Sequence, residues 1–124
     1  MDIINSDQAP KAIGPYSQAI RAGNVIYTSG QIALDPATGA LVEGDFAAQA
    51  HRVFENLKAV LASGGATFSN VAKATVYLTD LANFATLNEI YASYFGDTKP
   101  ARTTVGVAQL PKGGLVEIDL IAIV

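Results

Sequence analysis

The last quarter of the chain constrains the fold most, because two segments there alternate residue type along their length. The first segment runs from Pro100 to Val107 and the second from Leu115 to Val124. A period of two residues is typical of β-strands that are buried on one face only. The two segments therefore predict two strands, and the short loop near Leu110–Lys112 predicts that they form a hairpin.

Three charged residues interrupt these otherwise apolar strands. On the first strand, Arg102 shares a face with Thr104 and Gly106, and on the second strand Glu117 and Asp119 lie opposite an apolar face. That apolar face consists of Val116, Ile118, Leu120 and Ala122. A charge is costly to bury without a partner. The three residues therefore either pair with one another or serve a ligand.

Composition limits the classes of function. A length of 124 residues predicts a single domain, residues 1–124. Half of the residues are hydrophobic and 15% are charged, which favours an oligomer over a small monomer. The net charge of -3 argues against an extended nucleic-acid-binding surface. The absence of cysteine excludes disulfides, thiol catalysis and thiolate metal sites.

The first residues lack the basic start and apolar run of a signal peptide. The apolar runs elsewhere are too short to span a bilayer. We therefore expect a soluble cytoplasmic protein without a membrane segment.

Periodicity and turn residues predict the remaining elements. Residues 1–17 are expected to be irregular, because Pro10, Gly14 and Pro15 interrupt regular structure. The regular elements are a hairpin of Gln18–Ala22 and Val25–Ile32, a helix from Asp45 or Phe46 to about Ser63, a strand Val71–Thr79 and a second helix from Phe84 to Gly96. The order predicts an α+β fold with two helices on one face of a mixed sheet.

Two side-chain patterns within these elements are more specific. In the strand 71–79, Ala72, Ala74, Val76 and Leu78 are predicted to face one way. The apolar stripe of the second helix contains Asn88, whose amide requires partners if it is buried. Hydrogen bonding within the core and a role in a binding site are equally compatible with that position.

Other candidate residues lie in the first half of the chain. The segment 13–17 presents the hydroxyl of Tyr16, and Ser29 with Gly30 follows an apolar strand, where a hydroxyl and a backbone N–H become accessible. His51 is the single histidine, and its helical position favours a solvated or edge-of-core role. No Gly-x-Ser-x-Gly or phosphate-loop motif occurs.

Arg102 and Glu117 carry the most chemical information. A guanidinium group binds a carboxylate through two parallel hydrogen bonds, and Glu117 could act as a general base if apolar surroundings raise its pKa. An internal ion pair of Arg102 with Glu117 or Asp119 explains the pattern equally well. In a regular hairpin Arg102 would lie opposite Leu120–Ile121, roughly 10–13 Å from Glu117. Either a bulge shortens this path, or the two residues form one site from different subunits.

Five short motifs occur together and in order. They are Ile13–Tyr16, Thr28–Ile32, Phe84–Asn88, Pro100–Thr103 and the pair Leu110-Pro111 with Val116–Ile118. In this combination the chain resembles the RidA (YjgF) family of reactive-intermediate deaminases over essentially its whole length. The resemblance implies a chorismate-mutase-like α+β fold. It also implies a homotrimer whose sheets line a central barrel, with three ligand clefts between adjacent subunits.

The resemblance also implies an activity. RidA-type proteins hydrolyse enamine and imine intermediates such as 2-aminoacrylate, 2-iminopropanoate and 2-iminobutanoate, releasing a 2-oxo acid and ammonia. By motif, Arg102 would hold the substrate carboxylate and Glu117 would position or activate water. The substrate-binding candidates are Tyr16, Ser29, Gly30, Asn88 and Thr104. Thr104 stands where relatives often have cysteine. No metal or organic cofactor is expected, because the imine carbon is already electrophilic.

Two other functions compete with this one. A member of the same fold could bind small carboxylates without turnover, but the presence of both Arg102 and Glu117 favours an enzyme. Some relatives are described as ribonucleases or translation inhibitors. The acidic chain, with one histidine and no basic-aromatic cluster, argues against a nucleic-acid partner.

Overall fold

A computed structural model describes all 124 residues as a six-stranded sheet with two α-helices on one face. The elements are β1 (Asp2–Ile4), β2 (Ala19–Ala22), β3 (Val25–Thr28), α1 (Phe46–Ser63), β4 (Val71–Leu78), α2 (Phe84–Phe95), β5 (Ala101–Gly106) and β6 (Val116–Ile123). Three short 3₁₀ turns cover Phe68–Asn70, Leu81–Asn83 and Pro111–Gly113. The predicted α+β class, with two helices on one face of a mixed sheet, is confirmed.

The strand order is β1-β2-β3-β6-β4-β5, and every pair is antiparallel except β4 with β5. The predicted hairpin between β5 and β6 is therefore wrong, because β4 lies between them. Strands joined through a helix can pair in parallel, since the helix carries the chain back along the sheet. Helix α2 makes this crossover, so β5 adds to the outer edge of β4 while β6 enters between β3 and β4.

Two local features also differ from the prediction. Residues 2–4 form strand β1, which pairs with β2, whereas an irregular segment was expected. In β4, Val71 pairs with Ala122 and Lys73 pairs with Ile121, so Ala72 is an extra, exposed residue at a bulge. The prediction that Ala72 faces the same way as the later residues is therefore wrong. The common orientation of the other three, Ala74, Val76 and Leu78, is confirmed, since all three are completely buried.

Helix α1 begins and ends as its sequence predicts. The Asp45 carboxylate accepts a hydrogen bond from the backbone N–H of Ala48 at 3.0 Å, which satisfies a free donor of the first turn. Gly64 ends the helix, and its N–H bonds to the carbonyl of Leu61 at 2.9 Å. The apolar residues of α1 that recur at three- and four-residue steps form one buried stripe: Phe46, Ala50, Val53, Phe54, Leu57, Val60 and Leu61. Neither helix is long and apolar enough to cross a membrane.

Phe54 is the centre of the core between the two helices. Its ring stacks on Tyr94 with centroids 4.7 Å apart and meets Phe68, Tyr91 and Phe95 edge-on at about 6 Å. Offset stacks and edge-on contacts suit the charge distribution of aromatic rings, and such rings bury large apolar areas. The aromatic stripe of α2 thus packs mainly against α1.

The opposite face of the sheet has no helix over it within the chain. Its side chains include Ile3, Tyr27, Val105 and Ile123, which are 69%, 44%, 37% and 42% exposed. The pairing registers place these residues on the same side as Glu117 and Asp119. We refer to this side as the open face.

Replacing Phe54 with Ala should destabilise the protein by about 3–5 kcal/mol, because it removes a fully buried ring from four aromatic contacts. Denaturant unfolding at a fixed protein concentration measures the change. Lys58→Ala on the same helix is the control, and this exposed change should alter stability by less than about 0.5 kcal/mol. Equal effects of the two substitutions would contradict the assigned core.

Candidate active site

Four of the predicted site residues line one cavity of about 440 Å³: Tyr16, Ser29, Gly30 and Glu117. The cavity lies where the chain leaves β3, beside the first half of β6. A bridge between Gln31 and Ile118 continues the pairing of these two strands, with the N–H of each residue bonded to the carbonyl of the other. This bridge fixes Ser29 and Gly30 next to Glu117.

The contact between Gly30 and Glu117 is unusually close. A Cβ atom built on Gly30 would lie 2.5 Å from Glu117 Oε2 and 2.8 Å from its Cδ. Any side chain at position 30 would therefore displace the carboxylate. The sequence prediction of Gly30 as a site residue was based on its backbone, but the structure adds that the missing side chain makes room for Glu117.

Ser29 and Tyr16 are both held by local hydrogen bonds. The Ser29 hydroxyl donates to the carbonyl of Ser17 at 2.6 Å, and its backbone N–H donates to the carbonyl of Gln18 at 2.9 Å. The Tyr16 hydroxyl accepts from the backbone N–H of Ile13 at 3.3 Å, yet the side chain remains 49% exposed. Both hydroxyl oxygens keep acceptor capacity.

Two buried amide side chains that the sequence analysis did not single out fix the cavity walls. Gln18 accepts from the N–H of Ser6 at 2.7 Å and donates to the carbonyl of Pro10 at 2.7 Å. Asn56 on α1 donates to the carbonyl of Leu34 at 2.9 Å. Both side chains are almost fully buried, so their bonds form away from water. In the sequence, the one available sign of these buried amides was the position of Asn56 next to the apolar stripe of α1.

Burial is the main influence on the acidic residues of β6. It raises the pKa of Glu117 above its ordinary value, and the neighbouring Asp119 carboxylate raises it further. Burial also raises the pKa of Asp119, against the opposing effects of a hydrogen bond from the Tyr77 hydroxyl at 3.3 Å and of Lys73. A carboxylate with a raised pKa is a stronger base, which suits Glu117 for accepting a proton.

Arg102 lies on the other side of the sheet. It pairs with Ala74, and through Ala74 with Leu120, whose side chain is buried beneath the helices. Its guanidinium carbon is 4.8 Å from the ring centroid of Tyr91 and 5.5 Å from that of Phe84. Cations are attracted to the faces of aromatic rings in this arrangement. The alternative of an ion pair with Glu117 or Asp119 in the same chain is excluded, because those residues lie on the open face.

The surroundings of Arg102 contain polar atoms without partners. The hydroxyl oxygens of Thr104 and Tyr91 are buried and make no hydrogen bond within the chain. Leaving such a group unpaired costs about 1–3 kcal/mol, which a ligand or another subunit could offset. Asn88 is half-buried on the same face of α2, between Phe84 and Tyr91 in the helical repeat. It does not line the cavity of Glu117.

The remaining titratable candidate lies elsewhere. His51 is exposed on α1, and its Nδ1 atom is 3.1 Å from the hydroxyl of Tyr94. This position agrees with the predicted solvated role. No group of three or more His, Cys, Asp or Glu side chains is arranged to hold a metal ion.

The predicted site residues therefore form two groups in one chain. The cavity group contains Tyr16, Ser29, Gly30 and Glu117. The edge group contains Arg102, Thr104 and Asn88, on the helix side of β5 and on α2. The sheet separates the two groups.

Related proteins cover nearly the whole chain. DfrA of Myxococcus xanthus is 60% identical over 122 residues, which make up 97% of this chain and 93% of that protein. The 2-iminobutanoate/2-iminopropanoate deaminase of Bos taurus is 49% identical over 121 residues, 98% of this chain and 88% of that protein.

Solved structures agree with these relatives. RidA from an Antarctic Psychrobacter species is 48% identical, with a TM-score of 0.96 and full coverage of both chains. Escherichia coli TdcF, determined with bound serine, is 41% identical with a TM-score of 0.95 and covers 100% of this chain and 99% of that one. Residues 6–124 match the family described as Endoribonuclease L-PSP. With this match and these relatives, the chain belongs to the RidA/YjgF family.

Proposed function

We propose that this protein hydrolyses reactive 2-imino acids and their enamine forms to 2-oxo acids and ammonia. The observation that carries the proposal is the Glu117 carboxylate, which is partly desolvated against Gly30 in a cavity that also contains Tyr16 and Ser29. Deaminases of 2-iminobutanoate and 2-iminopropanoate among the relatives support the same chemistry. Substrates would come from pyridoxal-phosphate-dependent dehydratases in the cytoplasm.

The active assembly in this proposal is a homotrimer with sites between subunits. Arg102 and Glu117 lie on opposite sides of one sheet, so a single chain cannot bring both to one small molecule. The open face carries exposed apolar side chains, and β5 is an edge strand, so both surfaces are available to neighbouring copies. Arg102 of one subunit would then complete the Glu117 cavity of the next.

The proposed reaction uses the Arg102 guanidinium group and the Glu117 carboxylate. Arg102 would hold the substrate carboxylate by two parallel hydrogen bonds. Glu117 would take a proton from water as the water oxygen bonds to the imine carbon. That proton would pass to the imine nitrogen to give a carbinolamine. The second proton of the water would follow from the new hydroxyl group to nitrogen as the C–N bond breaks, which releases ammonia and leaves the 2-oxo acid. The imine carbon is electrophilic by itself, so the proposal requires no metal or organic cofactor.

The alternative of a carboxylate-binding protein without turnover shares Arg102 with this proposal. The relative TdcF was determined with bound serine, which is a small amino acid with a carboxylate. The feature that favours an enzyme is Glu117, because a binding site for an anion gains nothing from a second, desolvated carboxylate. The family description as an endoribonuclease would require RNA binding, which the net charge of -3 disfavours.

Light scattering should give a mass of three copies of the 12.9 kDa chain at micromolar concentration. Val105→Asp places a charge on the open face and should dissociate the assembly, because burial of an unpaired carboxylate is unfavourable. Lys58→Glu on the exposed side of α1 should leave the mass unchanged. A wild-type monomer would contradict the proposed assembly.

Arg102→Lys keeps the positive charge but loses the planar guanidinium group, which can donate two parallel hydrogen bonds to a carboxylate. Carboxylate binding should weaken by about 1–3 kcal/mol, which would appear in KM. Arg102→Ala should abolish activity while the oligomeric mass persists. Arg21→Lys on β2 is the matched control and should have little effect. Wild-type turnover by Arg102→Ala would show that Arg102 is structural.

Glu117→Gln keeps the shape of the side chain but removes the base. The loss of a general base lowers rates by about 10²–10⁴-fold, and we expect the lower half of that range because imines also hydrolyse unaided. Thermal unfolding, measured in parallel, checks that the variant is folded. An unchanged kcat in a stable Glu117→Gln protein would remove Glu117 from the mechanism.

Asp119→Asn is the matched control for Glu117→Gln, with the same change of charge on the same strand. It should affect kcat much less at neutral pH. Because the Asp119 carboxylate raises the pKa of Glu117, its removal should shift the acid limb of kcat/KM to lower pH. A shift to higher pH, or none, would show that Asp119 does not act on the catalytic base.

A further inference from the structure

Two lysines, Lys11 and Lys112, are also among the residues that line the cavity of Glu117. Glu117 is the only acidic residue of its lining. The whole chain has 11 acidic residues against 8 lysines and arginines, so this lining is more cationic than the rest of the molecule. Such a bias in one concave site favours an anionic ligand.

Lys112 has an unusual backbone conformation. Its φ of 57° makes it the only residue other than glycine with a positive φ. A glycine would adopt this conformation without strain, as the next residue, Gly113, does at φ 75°. Strained residues of this kind concentrate at ligand sites. The presence of lysine here therefore points to a use for its side chain.

The turn that carries Lys112 is fixed against the cavity wall. The N–H of Gly114 donates to the carbonyl of Pro111 at 3.1 Å, and Gly113 donates to Leu110 at 3.3 Å. A Cβ atom on Gly114 would lie 3.5 Å from Cγ2 of Ile32, which itself lines the cavity. The base of the Lys112 side chain is thus fixed beside the site.

Lys11 is anchored through its neighbour. The carbonyl of Pro10 accepts the hydrogen bond from the Gln18 amide at 2.7 Å, and Gln18 is only 2% exposed. The backbone that precedes Lys11 is therefore tied to a buried group. Both lysines line the cavity, and each long, flexible side chain gives its ammonium group the reach to contact a ligand there.

We propose that Lys11 and Lys112 bind a second carboxylate at the far end of the substrate. The inference rests on the proposed function and specifies its substrate class as 2-imino dicarboxylates. Arg102 of a neighbouring subunit takes the carboxylate next to the imine carbon, which leaves the lysines for the side-chain carboxylate. Water oxygen bonds to the imine carbon, both protons of the water pass in turn to nitrogen, and ammonia leaves as the C–N bond breaks. The side-chain carboxylate is unchanged in the 2-oxo product.

The test compares two imines with the same five-carbon chain. 2-Iminoglutarate and 2-iminopentanoate, generated from glutamate and norvaline by amino-acid oxidases, differ only in the terminal carboxylate. We expect kcat/KM to be about tenfold higher for 2-iminoglutarate, equivalent to about 1.4 kcal/mol. The double variant K11M/K112M should reduce this ratio to near one. Lys58→Met, which removes an exposed lysine on α1, should leave it unchanged.

A binding measurement separates failure of this inference from failure of the proposed function. Calorimetry with glutarate and pentanoate measures the same preference without turnover, and glutarate should bind about tenfold more tightly, about 1.4 kcal/mol. Hydrolysis of both imines with equal kcat/KM would overturn the role of the lysines and leave the deaminase intact. If neither imine is hydrolysed, the proposed function fails. Glutarate binding no tighter than pentanoate binding would then overturn the lysine site as well.

Discussion

The position of β6 between β3 and β4 is the constraint on which the rest of the structure depends. Its apolar face is completely covered by the helices, and this burial fixes which side chains point the other way. Glu117 is thereby directed to the open face at the level where β3 ends, next to Gly30. The energy that holds the catalytic candidate in place is the hydrophobic burial of its strand neighbours.

The same sheet separates Arg102, the candidate carboxylate-binding residue, from Glu117, the candidate base. Arg102 rests on the rings of Phe84 and Tyr91 on one side, and the Glu117 cavity opens on the other. A cation on aromatic faces keeps its hydrogen-bond donors free for a carboxylate. In the proposed trimer, the folding of each chain forms both the Arg102 surface and the Glu117 cavity, and only association of subunits brings the two together in one site.

Much of the fold could be predicted from sequence, since long periodic segments such as α1 and β6 determine their own buried faces. The strand that pairs with β5 could not be predicted. The short loop between β5 and β6 suggests a hairpin, and periodicity does not show that β4 lies between these two strands in the sheet. Strand β1 is too short to show a period of two residues. The bulge at Ala72 shifts the pairing of β4 with β6, and a prediction from alternating residues assumes that this pairing is regular. For the candidate site, the motifs identified four of the residues that line the cavity, Tyr16, Ser29, Gly30 and Glu117. Of the two buried amides, Asn56 gave only a weak signal in the sequence and Gln18 gave none, because their roles depend on loops that are distant in sequence.

The contact between Gly30 and Glu117 has a consequence for divergence within this fold. A side chain at position 30 would push the Glu117 carboxylate out of the place it has in this backbone, because its Cβ would meet the end of the glutamate side chain. A homologous chain with alanine or a larger residue at position 30 would therefore hold its carboxylate in a different place, even if the glutamate itself were unchanged. In such a chain, a glutamate at position 117 would not by itself indicate a carboxylate placed as it is here.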